Sequence, residues 1–210
     1  MKKLVIFDLD GTLLNTIADI ARATNYALAQ FGFPTHHTQS YRTFVGNGIN
    51  KLIQRALPEE GCNEENIMKV RSIFVPYYDQ HKRDLTRPYK GITELLSTLQ
   101  ERGIMIAVAS NKYQRATEEL VNIYFPNTKF IKVLGQREGI PSKPDPSIVN
   151  EIIQIAGVSK EETIYVGDSN VDMMTAHNAG VEAVGVTWGF RTRRELQENN
   201  PHSIIEEAGE

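Results

Sequence analysis

The chain has 210 residues, 40% hydrophobic and 23% charged, which fits one globular core with room for a smaller inserted unit. A net charge of −3 argues against a general nucleic-acid binder, which needs a basic face. The single cysteine, Cys62, excludes a disulfide framework and suits a reducing compartment. Lys2-Lys3 precedes only four apolar residues, too few for a signal peptide, and the apolar run 104–109 is too short to span a membrane. A cytoplasmic protein without membrane or nucleic-acid partners is expected. Arg191, Arg193 and Arg194 make the tightest basic cluster and read as a solvated surface.

Leu4-Val5-Ile6-Phe7 is a β-rich apolar run, as expected of a strand buried on both faces, and it ends in Asp8-Leu9-Asp10-Gly11-Thr12. Buried unpaired carboxylates are costly, so two at the tip of a core strand imply a compensating cation or a reaction. The plain alternative is an Asp-Gly turn. The periodicity then becomes helical. Ile17, Ile20, Ala21, Ala27, Leu28 and Phe31 mark a first helix, stopped by Gly32 and Pro34. Residues 48–57 form a second, with Pro58 beyond it, and 63–81 a third that Pro76 is expected to kink. No strand pattern interrupts 15–86, which predicts an all-helical insert within a core made of 1–14 and 87–210.

Beyond Arg87 helix and strand alternate. Helices are predicted over 91–102, 114–124, 145–156 and 170–179, the third with Asp145 as N-cap and Pro146 at the first helical position. Strands are predicted over 104–109, 130–134, 163–166 and 182–186. The fold class is therefore α/β, a doubly wound parallel sheet of about five strands. Right-handed crossovers place the first strand centrally, between the 104–109 and 163–166 strands, and ligands bind such sheets at the carboxyl ends beside the switch point.

Polar clusters follow those same ends: Ser110-Asn111-Lys112, then Lys143-Pro144 in a turn-rich loop, then Gly167-Asp168-Ser169 with Asp172. Each alone reads as a turn, an N-cap or a surface lysine. Together on one rim they meet the needs of phosphoryl transfer. Asp8, Asp10, Asp168 and Asp172 supply hard oxygen ligands for Mg²⁺. An aspartate can serve as nucleophile, and Ser110, backbone N–H groups and Lys143 can donate to phosphoryl oxygens.

In this order the four motifs resemble those of the haloacid dehalogenase-like (HAD) hydrolase superfamily, across essentially the whole chain. The resemblance implies a Rossmann-like core with Asp8 as nucleophile and Asp10 as general acid/base. It implies Ser110, Asn111 and Lys143 at the phosphate, and Asp8, Asp168, Asp172 and the Asp10 backbone carbonyl at Mg²⁺. The helical insert resembles the family's small cap, which closes over the site. Residues 46–57 resemble the cap segment of phosphoglycolate phosphatases, making Arg42, Lys51 and Arg55 candidates to meet a substrate carboxylate. Pro88-Tyr89-Lys90-Gly91 and Val186-Thr187-Trp188-Gly189-Phe190 resemble that branch too, although Lys90 stands where proline is commoner and Asn15-Thr16 where Asp-Ser is. The implied protein is a Mg²⁺-dependent phosphomonoester hydrolase, a monomer or dimer. It forms an aspartyl-phosphate on a small phosphorylated metabolite, with 2-phosphoglycolate foremost. A β-phosphoglucomutase-like mutase, a pyrophosphatase and a non-catalytic phosphate-binding regulator are the alternatives.

Overall fold

A computed structural model describes residues 1–210 and divides the chain into two units, Met1–Leu14 with Pro88–Glu210, and Asn15–Arg87. The strands in chain order are β1 (Leu4–Phe7), β2 (Leu14–Asn15), β3 (Arg87–Pro88) and β4 (Met105–Tyr113), then β5 (Phe130–Gln136), β6 (Thr163–Gly167), β7 (Glu182–Val186) and β8 (Ser203–Ile205). The helices are α1 (Ile17–Ala29), α2 (Tyr41–Phe44), α3 (Ile49–Ala56), α4 (Glu64–His81) and α5 (Ile92–Glu101), then α6 (Gln114–Tyr124), α7 (Ser147–Ala156), α8 (Asn170–Ala179) and α9 (Arg193–Gln197).

Six strands form the main sheet in the order β5-β4-β1-β6-β7-β8, and every pairing is parallel. Alternate residues of each strand face opposite layers. Val5, Phe7, Ile106, Val108, Val166 and Val184 pack toward Ile92 and Leu96 of α5 and Leu120 and Val121 of α6. Leu4, Ile6, Ala107, Ala109 and Tyr165 pack toward Ile148, Val149 and Ile152 of α7 and Met173 and Ala176 of α8. Both faces are thus covered, which is why β1 reads as an unbroken apolar run. The order reverses on either side of β1, so its carboxyl end lies at the switch point.

Several boundaries differ from the sequence reading. An edge strand, β8, adds a sixth member; three half-exposed residues carry no legible alternation. β4 continues through Ser110, Asn111 and Lys112, which the sequence reading places beyond the strand. Two features hold that polar stretch extended. Gln114 accepts from Gly135 N–H at 2.6 Å and donates to the Val133 carbonyl at 3.0 Å. Gly135 also has no side chain to strike the Lys112 carbonyl, which would lie 2.5 Å from an added Cβ. Helix α7 starts at Ser147 with Pro146 as N-cap, while Asp145 accepts from the Ser147 N–H at 2.9 Å.

In the helical unit, α1 ends at Ala29 and Phe33 N–H returns to the Leu28 carbonyl, with Gly32 at φ +71°. Phe31 is consequently 39% exposed rather than part of the apolar face. Helix α4 runs unbroken through Pro76, its two halves anchored by buried Val70, Phe74 and Tyr78 at four-residue spacing. The short helix α2 and the two-residue pair of β2 with β3 carry too little pattern to be read beforehand. Asp19, 1% exposed, accepts from Leu85 N–H, Thr86 N–H and Thr86 Oγ1 at 2.8–3.1 Å, tying the end of this unit to its first helix.

Candidate active site

β1 delivers Asp8 to the switch point, where its N–H donates to the Val166 carbonyl at 2.9 Å and continues the parallel ladder. The chain then folds back sharply: Leu13 and Leu14 N–H both donate to the Leu9 carbonyl, and Gly11 takes φ +91°. This turn separates the two aspartates. Asp8 Oδ1 accepts from Leu9 N–H at 2.7 Å and lies 3.1 Å from Lys143 Nζ. Asp10 points to a different cation, Lys112, whose Nζ lies 3.1 and 2.9 Å from its two carboxylate oxygens.

Lys143 is 3% exposed and fully engaged. Its ammonium donates to Asp172 Oδ1 at 2.8 Å, Tyr165 Oη at 2.8 Å and the Ala109 carbonyl at 3.0 Å. Burial would lower its pKa, but the Asp172 and Asp8 carboxylates outweigh that and hold it well above the ordinary lysine value. Asn111 positions this lysine, donating to the Lys143 carbonyl at 3.0 Å and accepting from its N–H at 2.8 Å. The amide of Asn111 therefore braces the backbone of the phosphate-binding candidate. Ser110 is buried beside it, its Oγ accepting from Lys112 N–H at 3.3 Å.

β6 ends at Gly167 and hands over Asp168 and then the N-terminus of α8. Asp172 sits in a capping box, Oδ2 accepting from Ser169 N–H and Oγ at 3.0 and 2.6 Å. Asp168 accepts from Phe190 N–H at 2.6 Å and from Thr12 Oγ1 at 3.4 Å. Glycines press on both acids. A Cβ on Gly11 or Gly189 would come within 2.3 Å of Asp168, and one on Gly167 within 2.2 Å of Asp172. These three glycines let loops from three parts of the core close onto the carboxylates.

Asp8, Asp168 and Asp172 are all buried, and each offers an oxygen within 4.8 Å of the others. Burial raises Asp8 to about 7, with Lys143 pulling down and Asp172 and Asp10 pushing up. Burial, then Asp172 and Asp8, push Asp168 well above its ordinary value. Three carboxylates face one ammonium, and that surplus negative charge fits a divalent cation. The Asp10 carboxylate stands outside this group, paired with Lys112.

The structure thus brings Asp8, Lys143, Asp168 and Asp172 together, with Ser110 and Asn111 on the adjoining strand. Arg42, Lys51 and Arg55 belong to the helical unit. There Arg55 donates to the Phe44 carbonyl and Asn47 Oδ1, both at 2.8 Å, and Lys51 to Gln54 Oε1 at 2.8 Å. Sequence reasoning gave no role to four contributors: Tyr165, Gly189, Phe190 and Lys112. Trp188-Gly189-Phe190 was visible as a motif without a role. The basic cluster also splits: Arg193 and Arg194 form surface pairs with Glu206 and Glu198, but Arg191 is only 8% exposed and its charge counters the rise at Asp168.

This arrangement of carboxylates, buried lysine and strand-end loops has the makings of a phosphoryl-transfer enzyme, and comparison with known proteins agrees. The family model of haloacid dehalogenase-like hydrolases matches residues 5–186. A phosphoglycolate phosphatase of Pseudomonas syringae pv. tomato is 34% identical over 99% of this chain and 77% of its own length. Another, from Mannheimia succiniciproducens, is 32% identical over 98% of this chain and 94% of its own. A crystal structure from Lactobacillus delbrueckii subsp. bulgaricus, of a protein named for a predicted phosphoglycolate phosphatase activity, superposes with a TM-score of 0.93. It is 33% identical and covers 100% of this chain and 96% of its own. The chain belongs to the haloacid dehalogenase-like hydrolase family, as a phosphatase of the HAD type.

Proposed function

We propose that this chain is a Mg²⁺-dependent phosphomonoester hydrolase that forms an aspartyl-phosphate on Asp8 and takes 2-phosphoglycolate as substrate. The observation that carries the reaction is the buried Lys143 ammonium, 3.1 Å from Asp8 and 2.8 Å from Asp172 at the switch point. The relatives named phosphoglycolate phosphatase, about a third identical over nearly the whole chain, support the substrate.

Asp8, Asp168, Asp172 and the Asp10 carbonyl would hold the cation, which would offset carboxylate charge and polarise the phosphoryl group. In the first step an Asp8 oxygen attacks phosphorus as the P–O bond to the alcohol breaks, and Asp10, entering in its protonated form, gives that proton to the departing oxygen and is left as the carboxylate that pairs with Lys112. Lys143 and Ser110 donate to the phosphoryl oxygens as charge redistributes. In the second step Asp10 takes a proton from water, whose oxygen attacks phosphorus and releases inorganic phosphate with Asp8 restored. The helical unit would supply specificity, with Arg42, Lys51 and Arg55 as its candidate cations.

The test is phosphate release by the purified protein with Mg²⁺ from 2-phosphoglycolate, sugar phosphates, nucleotides, pyrophosphate and β-glucose 1-phosphate. EDTA-sensitive release selective for 2-phosphoglycolate is expected. Preference for pyrophosphate, or isomerisation of β-glucose 1-phosphate without phosphate release, would replace this substrate.

A further inference from the structure

Lys112 has no step in the reaction just described, yet its side chain is 5% exposed and its ammonium bridges both oxygens of Asp10. Its backbone is fixed: its N–H donates to Ser110 Oγ at 3.3 Å and its carbonyl accepts from Thr117 Oγ1 at 3.1 Å, with Gly135 packed behind. A buried ammonium is costly unless an anion meets it. The site therefore holds two buried lysines with separate partners. Lys143 belongs to Asp8, the residue that receives the phosphoryl group, and Lys112 belongs to Asp10, the residue that faces the departing alcohol.

We propose that Lys112 is the specificity residue for the leaving group and binds a carboxylate carried by the departing alcohol. The inference rests on the reading above, in which Asp10 hydrogen-bonds the ester oxygen. An oxygen in that position lies within about 6 Å of Lys112 Nζ, since each of the two hydrogen bonds spans about 3 Å. In 2-phosphoglycolate one methylene separates the ester oxygen from the carboxylate, so the anion falls within reach of the ammonium in a charge-assisted hydrogen bond. A neutral leaving group in the same place offers the ammonium no such charge-assisted bond. Discrimination by leaving-group charge is thereby built into the sheet unit itself, on the strand that carries Ser110.

The test compares 2-phosphoglycolate with ethyl phosphate, in which a methyl replaces the carboxylate, using the full chain with Mg²⁺. Lys112→Met is expected to lower the ratio of the two kcat/KM values by roughly 10- to 100-fold, the worth of one hydrogen bond to a charged group. The loss should appear in KM for 2-phosphoglycolate more than in kcat, and Lys112→Arg should recover most of the ratio. Lys112→Gln, which keeps polarity without the charge, gives the same readout if the methionine variant does not fold. An unchanged ratio in the neutral variants, or a parallel loss on both substrates through kcat alone, would overturn the assignment and make Lys112 only a support for Asp10. A wild-type enzyme that takes both substrates equally would instead refute the 2-phosphoglycolate reading itself.

Discussion

Asp8→Asn is expected to reduce phosphate release by on the order of 10⁴-fold or more while leaving the fold as stable as before or more so. The activity follows from the loss of the attacking oxygen. The stability follows from burial, which raises Asp8 from 3.8 to about 7. A carboxyl whose pKa is higher in the folded chain than in the unfolded one costs no stability below about pH 4. Its cost grows as pH rises through the window from about 4 to about 7 and is complete above it. Asparagine removes that cost and keeps the shape, and Lys143 still has Asp172, Tyr165 and the Ala109 carbonyl as partners. Thermal unfolding in EDTA should give a midpoint at pH 8 at or above wild type, the difference closing toward pH 4. A folded variant with wild-type turnover would remove Asp8 from the chemistry, and a collapsed midpoint would make its charge structural.

Lys143→Met should cost both activity and stability. Removing the donor to the transferring group is expected to lower kcat by roughly 10² to 10³-fold. Removing the one buried ammonium that faces Asp8 and Asp172 leaves carboxylates unpaired, a loss of about 3–5 kcal/mol at pH 8. The loss should shrink on acidification. With Asp8 and Asp168 already pushed up by burial, the folded variant binds more protons than the unfolded chain, so its stability rises as pH falls through the same window. Lys143 itself stays charged in both states over this range, so the trend belongs to the carboxylates. Urea unfolding at pH 8 and pH 5 in EDTA measures it. A loss of under about 1 kcal/mol, or one equal at both pH values, would show that the acids do not depend on this lysine.

What could be read beforehand was what repeats or clusters. The Leu4-Val5-Ile6-Phe7 run, the helix–strand alternation after Arg87 and the polar residues at successive strand ends are local in sequence, and they gave the sheet and the members of the site. The partners of those residues were not legible, because they lie far off in sequence, from 22 residues for Asp168 with Phe190 to 156 for Asp168 with Thr12. Asp10 and Lys112 are 102 residues apart, and nothing in either segment says that they meet. Asp172 was readable as an acid near a strand end, but not as the capping residue that also grips Lys143 across 29 residues. Gly11 and Gly167 looked like turn residues, and Gly189 like part of a motif, until their closeness to Asp168 and Asp172 showed why no Cβ fits. Phe31 misled for the opposite reason: its spacing was helical, but Gly32 had already turned the chain away.

The mechanism turns on a covalent phosphoryl group on Asp8 that Asp10 is needed to clear. Asp10→Asn with p-nitrophenyl phosphate and Mg²⁺ separates the two steps, because nitrophenolate departs without a proton whereas attack by water still needs a base. Rapid mixing should give a burst of about one nitrophenolate per enzyme followed by slow turnover, with acid-quenched protein carrying phosphate on the peptide that contains Asp8. Linear release from the first turnover, with no phosphate on that peptide, would contradict it.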